Sequence, residues 1–227
     1  MIRLHMTAEG QTEQAFVKRV LMPHLACFNV FVDARCVLTS KDHRASKEYR
    51  GGMTTYTKAR NDIQNWMKED SAQECRFTTM FDLCRLPNDF PGYGQSDGME
   101  PYKRVSALEA DLAKDINCSR FIPYIQLHEF EALILANPKC LDWEYMEHNG
   151  PINKLIKDVG SKNPELINGG LTTAPSQRIL AQIPEYDKVG AGPVVAEKIG
   201  LPTLRQKCQH FNDWLIGLER LAGFPNG

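Results

Sequence analysis

The sequence predicts an α/β fold: a mostly parallel, four-stranded sheet flanked by helices, followed by a helical C-terminal extension. Three observations predict it. Short β-branched runs alternate with amphipathic stretches through the first two-thirds of the chain. The segments between successive strands are long enough for the crossovers that parallel strands need. After about Ala136 the strand signal fades, and helix-length segments between Pro and Gly breaks take over.

Each element has its own reason. Ile2 to Met6 alternates apolar residues and leads into Thr7-Ala8-Glu9-Gly10-Gln11-Thr12-Glu13; from Thr12 to Leu25, Ala15, Phe16, Val20 and Leu21 follow helical spacing. Asn29 to Leu38 reads as strand two. Gly51-Gly52 breaks the chain, and Thr54 to Glu69 reads as a helix with Ile63, Trp66 and Met67 on one face. Arg76 to Phe81 is strand three, followed by a Pro/Gly-rich loop from Leu86 to Gly94. Pro101 opens a helix to about Ile116 from a favoured early position. Arg120 to Leu127 is strand four, which Pro123 confines to an edge or a bulge. Beyond it, short helices end in one from Thr203 to Leu221. We read residues 1–136 as the α/β core and 137–227 as a helical extension packed on it, because no flexible linker separates them.

Composition narrows the function. The chain has 227 residues, 42% of them apolar and 24% charged, which suits a globular domain rather than a disordered one. No apolar run approaches the roughly 18 residues of a membrane span, and no signal peptide is expected at the N-terminus, so a cytoplasmic protein is expected. With 27 Lys+Arg against 28 Asp+Glu, the chain lacks the basic excess of proteins that coat nucleic acid, although enzymes that cut it need none. The seven cysteines form no CxxC pair, which points to free thiols and away from a zinc knuckle. No Walker A or GxSxG motif is present.

Parallel α/β sheets place their chemistry at the carboxyl ends of the strands. Strand one ends at Glu9, strand three at Asp82, and strand four at His128-Glu129-Phe130-Glu131, whereas strand two ends in Thr39-Ser40-Lys41. Carboxylates gathered this way repel one another unless a cation sits among them, and an oxygen-preferring Mg²⁺ is the simplest one. Such a site suits phosphoryl transfer or phosphodiester hydrolysis. Plainer readings stand beside each residue. Glu9 can serve as a helix N-terminal acid, Asp82 can cap a turn, and His128 can be a helix-start residue or the support of a ligand. Glu129 and Glu131 share a face only if their segment is extended. Lys41, Arg44, Lys47, Arg50, Lys58 and Arg60 around Gly51-Gly52 read by default as a solvated face, and Lys188 is a further basic candidate.

The set Glu9-Gly10-Gln11-Thr12-Glu13, Met80-Phe81-Asp82 with Leu86-Pro87-Asn88-Asp89-Phe90-Pro91-Gly92, His128-Glu129-Phe130-Glu131-Ala132-Leu133, Lys162 to Asn168 and Tyr186-Asp187-Lys188 resembles an uncharacterised bacterial family, a domain of unknown function in the Toprim clan. The resemblance covers nearly the whole chain. It implies a Toprim-like, Rossmann-like core, related to that of OLD-type nucleases, which work with an ABC or SMC-like ATPase in anti-phage defence. The Toprim pattern is an acid after strand one and an Asp-x-Asp after strand three, together binding Mg²⁺. Glu9 matches the first and Asp82 the leading Asp, but Cys84 stands where the second Asp belongs, and cysteine is a poor Mg²⁺ ligand. Glu129, Glu131 or Asp89 would then supply the missing oxygen.

The expectation is therefore a Mg²⁺-dependent (or Mn²⁺-dependent) nuclease cutting DNA or RNA. Glu9, Asp82 and Glu129 or Glu131 would hold metal, and Lys41 or Lys188 would clamp phosphate. The alternative is a non-catalytic binding subunit of the ATPase that keeps a degenerate metal site. Either reading is compatible with an oligomer.

Overall fold

The computed structural model describes residues 1–42, 47–50, 52–167, 170 and 172–223, the side chains of 38–42 and 47–50 excepted. The chain opens with β1 (Ile2–Ala8), α1 (Gln11–Phe16), a π-helical turn (Val17–Leu21) and α2 (Met22–Ala26). It continues through β2 (Val30–Cys36), the antiparallel pair β3 (Leu38–Asp42) and β4 (Lys47–Arg50), and α3 (Tyr56–Glu69). Then come β5 (Cys75–Asp82), a 3₁₀ turn (Leu83–Arg85), α4 (Pro101–Ile116), β6 (Phe121–Ile122), β7 (Ile125–Gln126) and α5 (Glu131–Ile134). The C-terminal part carries α6 (Asn149–Val159), α7 (Pro175–Gln182), α8 (Ala191–Ile199), α9 (Leu201–Lys207) and α10 (Gln209–Glu219), with 3₁₀ turns between.

The main sheet runs β2-β1-β5-β6, every pairing parallel, with β7 continuing along β5 where β6 stops. The expected four strand positions and their order in the chain are all present. Central β1 and β5 are buried on both faces, which is why they read as nearly unbroken apolar runs, whereas edge strand β2 alternates and leaves Phe31 exposed.

Several boundaries differ from expectation, each for a local reason. Strand two stops at Cys36, not Leu38, because the chain turns there into β3. The helix expected from Thr54 starts at Tyr56, whose N–H donates to Asp89 Oδ1 from the Pro/Gly loop at 2.9 Å. Pro23 has no N–H for the ladder, and the wider π turn lies just before it. The single last helix is two, divided at Cys208, whose backbone is extended. Strand four breaks at Pro123-Tyr124. There the Thr79 hydroxyl accepts from the Tyr124 N–H at 3.0 Å and donates to the Tyr124 carbonyl at 2.9 Å, replacing the ladder bonds the strand gives up.

Two apolar layers sandwich the sheet. On one face Leu4 and Met6 meet Phe16 and Leu21 together with Val195, Phe211 and Leu215. On the other, Phe77 and Phe81 meet Ile63, Trp66, Leu108 and Leu112. Residues 137–223 thus share the first layer with β1 and α1. Polar bonds stitch the same seam: Trp214 stacks on Tyr124 at 4.0 Å and donates from Nε1 to Thr78 Oγ1 at 3.1 Å. Glu165, fully buried, accepts from the His210 and Phe211 N–H groups at the start of α10 and from the Tyr102 hydroxyl. Burial of each large apolar side chain contributes about 1.5–3 kcal/mol, so this seam is a principal part of the fold's stability.

Candidate metal centre at the carboxyl end of the sheet

Parallel strands that begin together also end together, and the ends of β1 and β5 are joined directly. Glu9 follows β1 and its Oε2 accepts from the N–H of Asp82, the last residue of β5, at 2.9 Å. Glu131 opens α5, just past β7, and is fully buried. Asp82 is 2% exposed, and its Oδ1 has no hydrogen-bond partner, a costly state for a carboxyl group without a ligand. Glu13, in the first turn of α1 and also buried, holds the Gly10 N–H through Oε2 at 2.9 Å and adds its charge to the same spot.

Lys188 enters from the C-terminal part. Its Nζ lies 3.1 Å from Glu131 Oε2 and 3.5 Å from Asp82 Oδ2. The turn that presents it is built by Asp187, whose Oδ1 accepts from the Val189 and Gly190 N–H groups at 3.0 Å and whose N–H donates to Tyr145 Oη at 2.8 Å. An open cleft of about 380 Å³ faces the cluster, lined by Glu9, Glu13, Gly52, Asp82, Arg85 and Lys188.

One lysine cannot neutralise this many acids. Burial pushes Glu9 up to about 7, although its bond from the Asp82 N–H pulls the other way. Burial likewise pushes Glu131 up to about 7 against the attraction of Lys188, and holds Asp82 well above the usual carboxylate range. Burial alone would lower the Lys188 ammonium, but Asp82, Glu131 and Glu13 outweigh it and hold it above its ordinary value. Surplus buried carboxylates, an orphaned oxygen and an open approach are the features a hard divalent cation would relieve, although the oxygens of Glu9, Asp82 and Glu131 do not all lie within 4.8 Å of one another.

The expected acids separate by what they touch. Glu9, Asp82 and Glu131 meet around Lys188. Glu129 turns away: its Oε1 accepts from the Ser176 N–H at 2.6 Å in the first turn of α7. Asp89 serves α3, as described, and not the cluster. Cys84 is exposed and lines neighbouring cavities, its thiol pushed up to about 11 by burial of the sulfur and nearby Glu129 and Asp82. His128 adopts a left-handed backbone, φ 62°, and from Phe130 the chain is helical rather than extended, so Glu129 and Glu131 do not share a face. Glu13 is a site residue that sequence position alone did not single out; the fold brings its charge close to Asp82. Of the basic residues near Gly52, Arg44 lies outside the described residues, and so do the side chains of Lys41, Lys47 and Arg50. Lys58 is exposed, and Arg60 pairs with Asp115 at 2.6 Å.

His5, Asp70 and Cys75 form a second cluster whose ligand atoms lie within 4.8 Å of one another. It already contains a cation, since Arg3 donates twice to Asp70 and reaches Cys75 Sγ at 3.2 Å. Asp70 is thus paired with Arg3 and His5 without a metal, although His5 Nδ1 has no hydrogen-bond partner.

A family model, Domain of unknown function (DUF4276), matches residues 8–219. The chain belongs to the DUF4276 family. The matched span includes Glu9, Asp82, Glu131 and Lys188. No curated protein and no solved structure matches the chain. Among the described residues, no helix is long and apolar enough to cross a membrane.

Proposed function

We propose that this DUF4276 protein is a Mg²⁺-dependent nuclease of Toprim type that hydrolyses phosphodiester bonds in DNA or RNA. One observation carries the reading: carboxyl groups from three separate segments gather near Lys188, Glu9 and Asp82 lining one open cleft and Glu131 buried against the lysine, with Asp82 Oδ1 unpartnered. Glu9, Asp82 and Glu131 would hold the metal, with Glu13 adding negative charge behind them. Bound there, Mg²⁺ supplies Lewis acidity and offsets phosphate charge. The chain's own residues do the rest. Lys188 anchors and orients a phosphate at the mouth of the cleft, Arg85 supplies a second positive charge on its rim, and the Glu9–Asp82 bond fixes the two acids relative to each other.

Resemblance to OLD-type nucleases supports an ABC or SMC-like ATPase as partner, with defence against phage as the setting. The missing second Asp favours a second reading. Cys84 does not face the cluster, so a non-catalytic subunit with a residual cation site would look the same at this position.

The test is calorimetric titration of Mg²⁺ and Mn²⁺ into the wild type and Asp82→Asn, followed by incubation with plasmid and total RNA. Metal binding and metal-dependent cleavage, both lost in the variant, are expected. Metal binding without cleavage, alone and with the reconstituted ATPase, would assign the chain to the binding-subunit reading.

A further inference from the structure

A second cavity lies beside the cluster, on the far side of the 3₁₀ turn. It measures about 250 Å³ and is lined by Cys84, Tyr93, Met99, Arg104 and His128 among others. Two of its polar side chains lack the partners that buried groups normally have. Arg104 makes no hydrogen bond or ion pair through its side chain among the described residues; its Nε is sealed from solvent, and its guanidinium rests 5.5 Å over the Tyr93 ring. His128 is 5% exposed, and at most one ring nitrogen has a protein partner, the Glu165 carbonyl. Its backbone is left-handed, φ 62°, a conformation a non-glycine residue keeps only where its surroundings impose it.

The cavity and the metal cleft are neighbours through consecutive residues of one turn. Arg85 lines the cleft and an intermediate cavity of about 450 Å³, and Cys84 lines that cavity and the Arg104 pocket. Lys188, Arg85 and Arg104 therefore place positive charge on each of these neighbouring cavities. Glu129 lines the intermediate cavity, but its carboxylate is held by the Ser176 N–H.

We propose that the Arg104–His128 pocket binds a phosphate group of the substrate strand, a neighbour of the phosphate held at the carboxylate cluster. The Arg104 guanidinium supplies the hydrogen bonds, the neutral His128 ring adding its single N–H only where the Glu165 carbonyl does not take it, and the Tyr93 face and Met99 leave apolar room for the attached sugar or base. The choice of a strand rests on the nuclease reading; the choice of a phosphate rests on the pocket's own unpaired donors.

The test uses NMR on the full chain in EDTA, where the metal cluster plays no part. The Arg104 Nε–H resonance is identified by its loss in Arg104→Lys and followed during titration with inorganic phosphate, thymidine monophosphate and a 5′-phosphorylated thymidine tetranucleotide. A saturable shift with phosphate, and none with chloride at matched ionic strength, is expected. The tetranucleotide is expected to half-saturate at a concentration at least about tenfold below the monophosphate, and Arg104→Gln, with an unchanged thermal melt and followed instead through the Tyr93 and Met99 backbone amides, to weaken it at least about tenfold. The wild-type shift stands on its own if that variant folds poorly. A shift with phosphate but no advantage for the tetranucleotide would assign the pocket to a free nucleotide and overturn the strand placement. No saturable shift would overturn the pocket altogether, and would do so even for a chain that cuts nucleic acid. A saturable shift in a chain that cuts nothing would keep the phosphate site and remove the nuclease reading.

Discussion

The Asp82 N–H donates to Glu9 Oε2 at 2.9 Å, so the end of one central strand is fastened to the acid that follows its neighbour. This bond gives Glu9 two functions, one structural and one electrostatic, and substitutions separate them. Glu9→Gln keeps an acceptor for the Asp82 N–H and is expected to fold like wild type while losing at least about tenfold in Mg²⁺ affinity. Glu9→Ala leaves that buried N–H unpaired and is expected to lose a further about 1–3 kcal/mol of stability. Calorimetry and urea unfolding on the two variants distinguish these effects. Equal Mg²⁺ affinity in wild type and Glu9→Gln would remove Glu9 from the metal set.

The raised acids predict a specific pH dependence. Glu9 and Glu131 titrate near 7 in the fold against an ordinary value of 4.5. Between those pH values the folded chain binds more protons than the unfolded one. The stability linked to each group is therefore fully present below 4.5 and lost as pH rises through 7, with a slope of at most about 1.4 kcal/mol per pH unit. Without metal, the melting temperature is expected to be higher at pH 6 than at pH 8. Because ligation needs the carboxylates, Mg²⁺ binding at pH 6.5 is expected to release protons, seen as a heat that changes with the buffer's ionisation enthalpy. A buffer-independent heat would contradict protonated ligands.

The sheet was legible because its central strands are buried on both faces. Their apolar runs and terminal acids mark the strand ends almost to the residue, so Glu9 and Asp82 were found from position alone. The helical extension was legible as helix, but not as the source of a charge inside the site. Lys188 reaches Asp82 through a turn whose geometry depends on Tyr145, a partner distant in sequence. Asp89 and Glu129 looked like spare ligands and are helix caps, because a cap is defined by whichever helix start packs nearby. The hairpin of β3 and β4 was missed, its mixed polar sequence giving neither helical nor alternating apolar periodicity.

Glu129 and Glu131 give a paired prediction. Glu131 contacts Lys188 and is fully buried beside Asp82, whereas Glu129 holds the start of α7. Glu131→Gln is expected to weaken Mg²⁺ binding at least about tenfold. Glu129→Gln keeps an acceptor for Ser176 and is expected to bind Mg²⁺ within about twofold of wild type, while Glu129→Ala costs about 1–2 kcal/mol of stability through the lost cap. Reversed affinities in calorimetry would exchange their roles.

Glu165 tests the seam between the sheet and the C-terminal helices. Its two oxygens take the first free N–H groups of α10 and the Tyr102 hydroxyl, all within 3.0 Å. Glu165→Ala is expected to destabilise the chain by about 3 kcal/mol, because buried donors lose a charged acceptor together. Urea unfolding is expected to stay a single transition, since the two parts share one apolar layer. Two separated transitions would show that the C-terminal helices melt independently.

Gly190 controls where Lys188 sits. Its N–H donates to Asp187 Oδ1, and a Cβ added at this position would run into the Asp187 carboxylate, which is itself held by the Val189 and Gly190 N–H groups. Gly190→Ala must therefore open the turn and shift Lys188 away from Glu131 and Asp82, though Gly190 touches neither acid. Loss of Lys188 from the cluster removes its positive charge, so Mg²⁺ is expected to bind the variant at least as tightly as wild type. Cleavage is nevertheless expected to fall by roughly 10²-fold or more, the scale of losing a positioned charge at a reacting phosphate. Lys188→Met is expected to reproduce both effects. Metal affinity and cleavage that fall together in Gly190→Ala would instead make Lys188 a structural counter-ion whose loss collapses the carboxylate cluster.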